Sequence, residues 1–211
     1  MNKYPKVIDE LINNLKKLPG IGEKTAIRLV FYLLNSNNNY VNSLANSILN
    51  LKKKIKLCKI CFNFSENDIC EICADPKRDK SVICVVENIN DMFNIERTGE
   101  YKGVYHILHG VFSPINGITF ENMKFRELID RIRNDKTIKE IIIATNPTVE
   151  GNATAAYLKN EIEKLKKKLK ISRIASGIPV GAELEYIDKL TLSEAMKNRI
   201  EFAWKKINLQ K

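Results

Sequence analysis

The stretch "SVICVVENINDM", Ser81 to Met92, decides the fold of this chain. An uninterrupted apolar run ends at Glu87, and a helical pattern begins two residues later. Such a run indicates a strand buried on both faces, as in parallel sheets. The runs "VYHIL" and "EIIIA" repeat it, and helices are predicted around them at Ile89–Thr98, Lys124–Asn134 and Thr148–Leu169. Because strands alternate with helices, we predict an α/β fold whose mostly parallel sheet has helices on both faces.

Individual residues of these runs have simple expected roles. Cys84 lies inside the first apolar run and is predicted to be a buried core thiol. His106, within "VYHIL", is expected on a strand, and His109 follows it. The lysine-rich segment Glu161–Lys170 is interpreted as the exposed end of an amphipathic helix.

The two ends of the chain are predicted to be helical. Before the sheet, helices are expected at Val7–Lys17, Glu23–Asn35 and Val41–Lys54, the third after the loop "NSNNNY". A final helix is expected at Ser193–Lys206, with Trp204 in a packing or subunit contact. These patterns predict four parts: a helical region at 1–56, a cysteine module at 57–78, the α/β domain at 79–175, and a C-terminal strand and helix extension at 176–211.

Positive charge is concentrated near the N-terminus. The 211-residue chain has a formal net charge of +10, and residues 1–60 hold eleven Lys or Arg against three Asp or Glu. A basic segment attracts polyanions such as nucleic acid, although a solvated lysine face would have the same composition. No apolar run reaches the ~18 residues of a membrane span, and "MNKYPKVIDE" lacks the apolar core of a signal peptide. We therefore expect a cytoplasmic, nucleoid-associated protein without a membrane partner.

The stretch "LPGIGEKTAIR" places two glycines just before the second helix. Gly20 and Gly22 permit a tight turn and close approach of a ligand to the backbone, and the free N–H groups of the helix start favour a phosphate. Lys24 and Arg28 lie four residues apart on one helix face and can extend the contact along a DNA backbone. A helical hairpin whose glycines only permit the turn is the alternative. The pattern resembles the helix-hairpin-helix motif of DNA repair and replication proteins.

Four cysteines give the most specific local signal. Cys58, Cys61, Cys70 and Cys73 form C-x2-C-x8-C-x2-C, and each pair can give two thiolates to one tetrahedral Zn²⁺. Two disulfides are disfavoured in a reducing cytosol, and a redox pair needs only one C-x2-C. Because four protein ligands leave no position for water, the predicted zinc site is structural.

Two strand ends resemble the Toprim domain of topoisomerases, primases and some nucleases. They are "VVENINDM" and "ATNPTVEG", and in that family a glutamate after the first strand and a later D-x-D, often continued as x-E-G, collect Mg²⁺. Glu87 fills the first position, and Glu150 and Gly151 match the trailing pair. Asn146 and Thr148 stand in place of the two aspartates. Glu87 and Glu150 are therefore an acidic remnant, suited to weak Mg²⁺ binding or a partner contact.

The order of the motifs resembles the RecR family of bacterial recombination mediators over essentially the whole chain. The resemblance is carried by "LPGIGEKTAIRL", the four cysteines, "ICVVE", "ATNPTVEG" and "GIPVGAELEYID..TLSEA". One departure is Ala182, where the family usually has a second glycine after "PVG".

The resemblance implies a non-catalytic DNA-repair factor that binds single- and double-stranded DNA without sequence preference. It implies a ring-like homo-oligomer, commonly a tetramer built from dimers, with residues 1–56 as the DNA-binding region and residues 176–211 as the oligomerisation extension. It also implies the partners RecO and RecF, with which family members load RecA onto single-stranded DNA at gaps. Two other functions stay open on the residues: a Mg²⁺-dependent Toprim nuclease or primase-like enzyme, and a protein–protein adaptor with solvated basic ends.

Overall fold

The structure is a computed structural model that describes residues 4–175 and 177–201. The chain divides into two compact units, Met1–Ile55 and Lys56–Lys211. Within the described residues, no helix is both long enough and apolar enough to cross a lipid bilayer.

The first unit consists of three helices, α1 (Lys6–Leu15), α2 (Glu23–Asn35) and α3 (Asn38–Lys54). Its small core is formed by Ile12, Ala26 and Val30. None of the α3 side chains is buried within the chain.

Helix α3 begins three residues before the predicted Val41. Asn37 is the reason, because its side-chain oxygen accepts a hydrogen bond from the Tyr40 N–H at 2.8 Å and so caps the helix. The asparagine-rich stretch interpreted as a loop is therefore mostly helical.

The second unit begins with the cysteine module. Its elements are a two-stranded antiparallel sheet of β1 (Lys56–Leu57) and β2 (Phe64–Ser65), followed by the short helix α4 (Glu71–Ala74). Cysteine spacing alone did not predict these elements.

A four-stranded parallel sheet forms the centre of the second unit. Its strands are β3 (Asp79–Val86), β4 (Gly103–Ile107), β5 (Glu140–Ala144) and β6 (Lys170–Arg173). The strand order is β4-β3-β5-β6. Val86 pairs with Ile107 on one side and Ala144 on the other, so three strands end at one edge of the sheet. The mostly parallel sheet predicted from the apolar runs is confirmed.

Helices cover both faces of this sheet. They are α5 (Ile89–Arg97), α6 (Phe125–Asn134) and α7 (Val149–Lys164). Helices α6 and α7 pack over one face in the larger hydrophobic core, and α5 packs over the other. Cys84 is buried on β3 and His106 lies on strand β4, as expected, and His106 is buried as well. Burial raises the pKa of the Cys84 thiol to about 12.

The predicted helix at Thr148–Leu169 is too long, and the lysine-rich segment Glu161–Lys170 is the end of a helix only as far as Lys164. Helix α7 ends at Lys164, Lys166 has a φ of +53°, and "KISR" joins the sheet as β6. The Lys167 ammonium donates to the carbonyls of Ile132 at 2.5 Å and Arg133 at 2.8 Å, at the end of α6. Leu165 and Leu169 do face the core, but from a turn, so their helical spacing was misleading.

The C-terminal extension contributes helix α8 (Lys189–Lys197). It begins before the predicted Ser193 because the Asp188 carboxylate caps it, accepting from the N–H groups of Leu190 and Thr191. Between Gly177 and Glu201 the structure assigns no strand. The residue Trp204 lies outside the described residues.

Candidate zinc site and nucleic-acid-binding loop

The structure brings the four predicted cysteine ligands together. Cys58, Cys61, Cys70 and Cys73 are buried free thiols, and their sulfur atoms all lie within 4.8 Å of one another. The Sγ atoms of Cys61 and Cys70 are 3.4 Å apart. A tetrahedron with Zn–S bonds of ~2.3 Å has S–S edges of about 3.8 Å, so this donor set fits a zinc ion.

Local hydrogen bonds prepare the sulfur atoms for metal binding. The N–H groups of Ile60 and Cys70 point at Cys58 Sγ, at 3.5 Å and 3.3 Å. Hydrogen bonding with Cys70 raises the pKa of Cys61, so bringing the thiols together opposes their joint ionisation. A bound Zn²⁺ would favour ionisation of all four thiols, because zinc binds cysteine in the thiolate form.

The cysteine module is fixed to the edge of the central sheet. The Ile107 N–H of β4 donates to the Cys61 carbonyl at 2.9 Å, and His109 Nε2–H donates to the Phe62 carbonyl at 2.7 Å. The Phe62 ring also contacts the buried His106 edge-on, with centroids 5.3 Å apart. No site role was predicted for Phe62, His106, Ile107 or His109, because their spacing from the cysteines does not indicate contact with the zinc module.

The glycine loop before α2 has the predicted hairpin form. Gly20 has a φ of +78°, in the left-handed region that favours glycine, and the turn closes with a bond from the Ile21 N–H to the Leu18 carbonyl at 3.1 Å. Gly22 has an ordinary φ of −83°, and a Cβ added there would meet no atom within 4 Å. Neither backbone conformation nor packing within the chain therefore requires a glycine at position 22.

The start of α2 is open to solvent. Gly22 is the N-cap and offers no side-chain acceptor, and among the described residues no acceptor binds the N–H groups of Glu23, Lys24 and Thr25. Lys24 and Arg28 are exposed on the same helix. The four predicted residues thus share one loop and the first turns of one helix, with donors and positive charge directed outward.

The acidic remnant has a different arrangement from a metal site. Glu87 is buried at the end of β3, and its carboxylate accepts from Asn146 twice, from the backbone N–H at 2.7 Å and from Nδ2 at 2.6 Å. Glu150 is exposed in the first turn of α7. In the part of the chain that the structure describes, the four cysteines are the only group of three or more possible metal ligands of the Cys, His, Asp and Glu types.

Gly151 and Thr148 both have a structural role where β5 is followed by α7. A Cβ on Gly151 would lie 2.1 Å from the Asn146 carbonyl oxygen and 2.7 Å from Glu87 Oε1, so only glycine fits there. Thr148 caps α7, since its Oγ1 accepts from the Gly151 N–H at 3.1 Å. Asn146 and Thr148 stand where Toprim enzymes have metal-binding aspartates. In this chain they form hydrogen bonds that hold the end of β5 and the start of α7.

Protein-family models match the chain in four consecutive segments. A RecR helix-hairpin-helix model matches residues 8–52 and a RecR four-cysteine zinc finger model matches 55–75. A Toprim domain model matches 81–175 and a RecR C-terminal model matches 177–200. The order is the one expected from the motifs.

The chain belongs to the RecR family. Its cofactor is one structural zinc ion, held by the four cysteines, as the sequence predicted. The same matches confirm that helix-hairpin-helix, zinc finger and Toprim domains are present, while the predicted domain bounds stay a prediction. The assignment of Gly20, Gly22, Lys24 and Arg28 to DNA contact stays a prediction.

Proposed function

We propose that this RecR-family chain is a non-catalytic DNA-binding mediator of recombinational repair. It binds single- and double-stranded DNA without reading sequence, and acts with RecO and RecF to load RecA onto single-stranded DNA at gaps. The family membership supports the mediator role, and the helix-hairpin-helix match supports DNA as its ligand.

The open start of α2 is the observation that carries the proposal. Three N–H groups without acceptors and the positive helix end favour a phosphate, and they carry no information about the base. Gly22 leaves empty space in front of them although the chain itself has no need of a glycine there. A DNA backbone approaching the main chain gives that space a use, and Lys24 and Arg28 supply the flanking charge.

The hydrogen bonds of Glu87 support the absence of catalysis. A Toprim enzyme would use the carboxylate at this position for Mg²⁺, but here both of its oxygens accept from Asn146. The neutral amide occupies the position where a cation and a second carboxylate would otherwise meet. Incubation with labelled DNA and Mg²⁺ or Mn²⁺ is expected to give no cleavage or synthesis, and turnover abolished by Glu87→Gln would favour the nuclease or primase-like alternative.

An apolar stripe on the first unit supports a homo-oligomer. Val41, Leu44, Ile48 and Leu51 recur along α3, and Ile55 at its C-cap, at alternating spacings of three and four, the pattern of a helix–helix seam. Leu44, Ile48 and Leu51 are 37%, 61% and 64% exposed. A contiguous exposed apolar surface of this kind marks a protein contact. We assign it to subunit contact in a tetramer built from dimers.

DNA binding is tested by removing the two cations of the loop. Lys24→Ala with Arg28→Ala is compared with Lys159→Ala with Lys168→Ala, which removes the same charge from exposed positions of the second unit. Fluorescence anisotropy on unrelated duplexes is measured from 50 to 200 mM salt, with the mass in solution as a control. If both side chains neutralise phosphates, the log–log salt slope falls by about 1.8 per engaged chain. Wild-type affinity and slope in the same assembly would refute the contact and favour the adaptor.

Gly22→Ala separates a DNA role from a structural turn. The free energy of unfolding should change by less than about 1 kcal/mol, because the site is open and the backbone ordinary. DNA affinity should fall on all sequences alike. Gly20→Ala, at a φ of +78°, is the contrasting variant, because it strains the turn itself. Unchanged DNA affinity in Gly22→Ala would contradict close backbone approach.

The mediator role is tested by RecA assembly. RecA ATP hydrolysis is followed on single-stranded DNA coated by single-strand-binding protein, with RecO, RecF and this chain added singly and together. We expect acceleration that requires this chain and is lost in the Lys24 and Arg28 double variant. Equal rates with and without the chain would refute the mediator function.

A further inference from the structure

Arg131, on α6, lies beside the zinc module although it belongs to the α/β domain. We propose that the Arg131 guanidinium is the counter-charge of the zinc–tetrathiolate centre, so that it strengthens zinc binding from outside the ligand set. It is a positioning residue, since it acts through the thiolates and not as a ligand.

The contacts of Arg131 place its charge at the boundary between the module and the sheet. Nη1 donates to the Tyr105 carbonyl of β4 at 2.8 Å and reaches the Ile60 carbonyl at a longer 3.5 Å. Ile60 directly precedes Cys61 in the chain. One short bond to the sheet therefore holds the guanidinium 3.5 Å from the carbonyl of the residue that precedes Cys61.

Arg131 has no carboxylate partner within 4.0 Å among the described residues, although its side chain is half-buried. Asp135, one turn later, accepts instead from the Thr137 N–H at 2.8 Å and hydroxyl at 2.6 Å. An arginine removed from water needs a compensating negative charge. The four cysteines are buried in the module to which Ile60 belongs, and we assign the compensating charge to their thiolates.

The net charge of the zinc centre also favours Arg131 as its counter-charge. A Zn²⁺ with four thiolates has a net charge of 2−, which is costly to bury without a nearby cation. Lys56 and Lys59 lie on the module, but both bind Asp68 and lower the pKa of that carboxyl to about 2. Burial lowers the pKa of Arg131, while Cys73, Cys61 and the Asp135 carboxylate act in the opposite direction.

The test uses the full chain with neutral, charged and control substitutions. Arg131→Gln removes the charge and keeps a donor for the Tyr105 carbonyl, Arg131→Met is a second neutral variant, and Arg131→Lys keeps the charge. Arg133→Gln is the control, because Arg133 is exposed on the same helix and pairs with Asp130. Zinc affinity is measured by competition with a chromophoric chelator, and near-ultraviolet circular dichroism reports the fold.

The neutral variants are expected to bind zinc 10- to 100-fold more weakly, as for other residues that support metal ligands from outside. Arg131→Lys should stay within about threefold of the wild type on the same reasoning, and Arg133→Gln should be unchanged. Wild-type affinity in Arg131→Gln would overturn the proposal. So would equal losses in the Gln and Lys variants, or failure of all three to fold, because either result would assign the role to shape and not to charge.

Discussion

Asn146→Asp would put a second carboxylate against Glu87. In the wild type the Asn146 Nδ2–H donates to Glu87 Oε2 at 2.6 Å, and the substitution replaces this donor with a negative charge. Two unit charges about 4 Å apart repel by about 4 kcal/mol at an effective dielectric constant of 20. Proton uptake by one carboxyl limits the cost, and at pH 7 that limit is also about 4 kcal/mol for a pKa normally near 4.

The sign of the pH dependence identifies this repulsion. The shared site raises a carboxyl pKa in the folded state, so the folded variant binds a proton that the unfolded chain lacks. The loss of unfolding free energy in Asn146→Asp relative to the wild type should therefore become smaller as the pH falls, by about 1 kcal/mol between pH 7.5 and 6. A cation should also restore stability: a site with a Kd of ~1 mM gains about 1.4 kcal/mol from 10 mM Mg²⁺.

Urea unfolding at several pH values, with and without Mg²⁺, measures these effects. Asn152→Asp is the matched control, because Asn152 is exposed and its side-chain oxygen accepts from Arg173 at 2.6 Å. The control should change the free energy of unfolding by no more than about 0.5 kcal/mol. Wild-type stability in Asn146→Asp would refute the assignment of the Asn146 amide as the partner of Glu87.

Three further perturbations follow from the same structure. Cys58→Ser should lose the zinc ion by elemental analysis and unfold the cysteine module, since binding energies of about 10–16 kcal/mol hold such modules folded; full zinc retention would contradict the ligand set. Gly151→Ala should lower the unfolding free energy by about 3 kcal/mol or more, because its Cβ would lie 2.1 Å from a carbonyl oxygen, and a neutral result would exclude this packing. His106 has a pKa lowered by burial to about 3, so acidification through the unfolded pKa near 6.5 protonates the unfolded chain and destabilises the fold. His106→Leu should therefore remove about 1.3 kcal/mol of the wild-type loss between pH 7.5 and 5.5, and an unchanged pH dependence would argue against a buried neutral imidazole.

The sequence predicts the central sheet well because burial on both faces leaves a local signal. The run at "EIIIA" coincides with β5 over Glu140–Ala144, and the runs at Ser81 and Val104 differ from their strands by one or two residues. Strand β6 had no such signal. Its edge position leaves "KISR" half polar, and Leu165 and Leu169 before it continued the helical spacing of α7.

The zinc ligands could be predicted from local sequence, whereas the contacts of Glu87 and Arg131 could not. Cysteine ligands are recognisable because their spacing is fixed within one short segment. The partner of Glu87 is 59 residues away, and a missing aspartate does not reveal that its replacement donates a hydrogen bond. The contact of Arg131 with the zinc module spans 71 residues and depends on how α6 crosses the sheet, which no local pattern specifies.

Strand β4 forms one edge of the central sheet, and three of its outward backbone groups already have partners. Arg78 donates to the Gly103 carbonyl, Arg131 to the Tyr105 carbonyl, and the Ile107 N–H binds the Cys61 carbonyl of the zinc module. A bare edge strand is a template for pairing with other chains. Zinc at Cys61 therefore also holds one of these edge contacts: chelation would release the Cys61 carbonyl from the Ile107 N–H, and we expect zinc-depleted protein to self-associate at concentrations where the zinc-loaded chain stays dispersed.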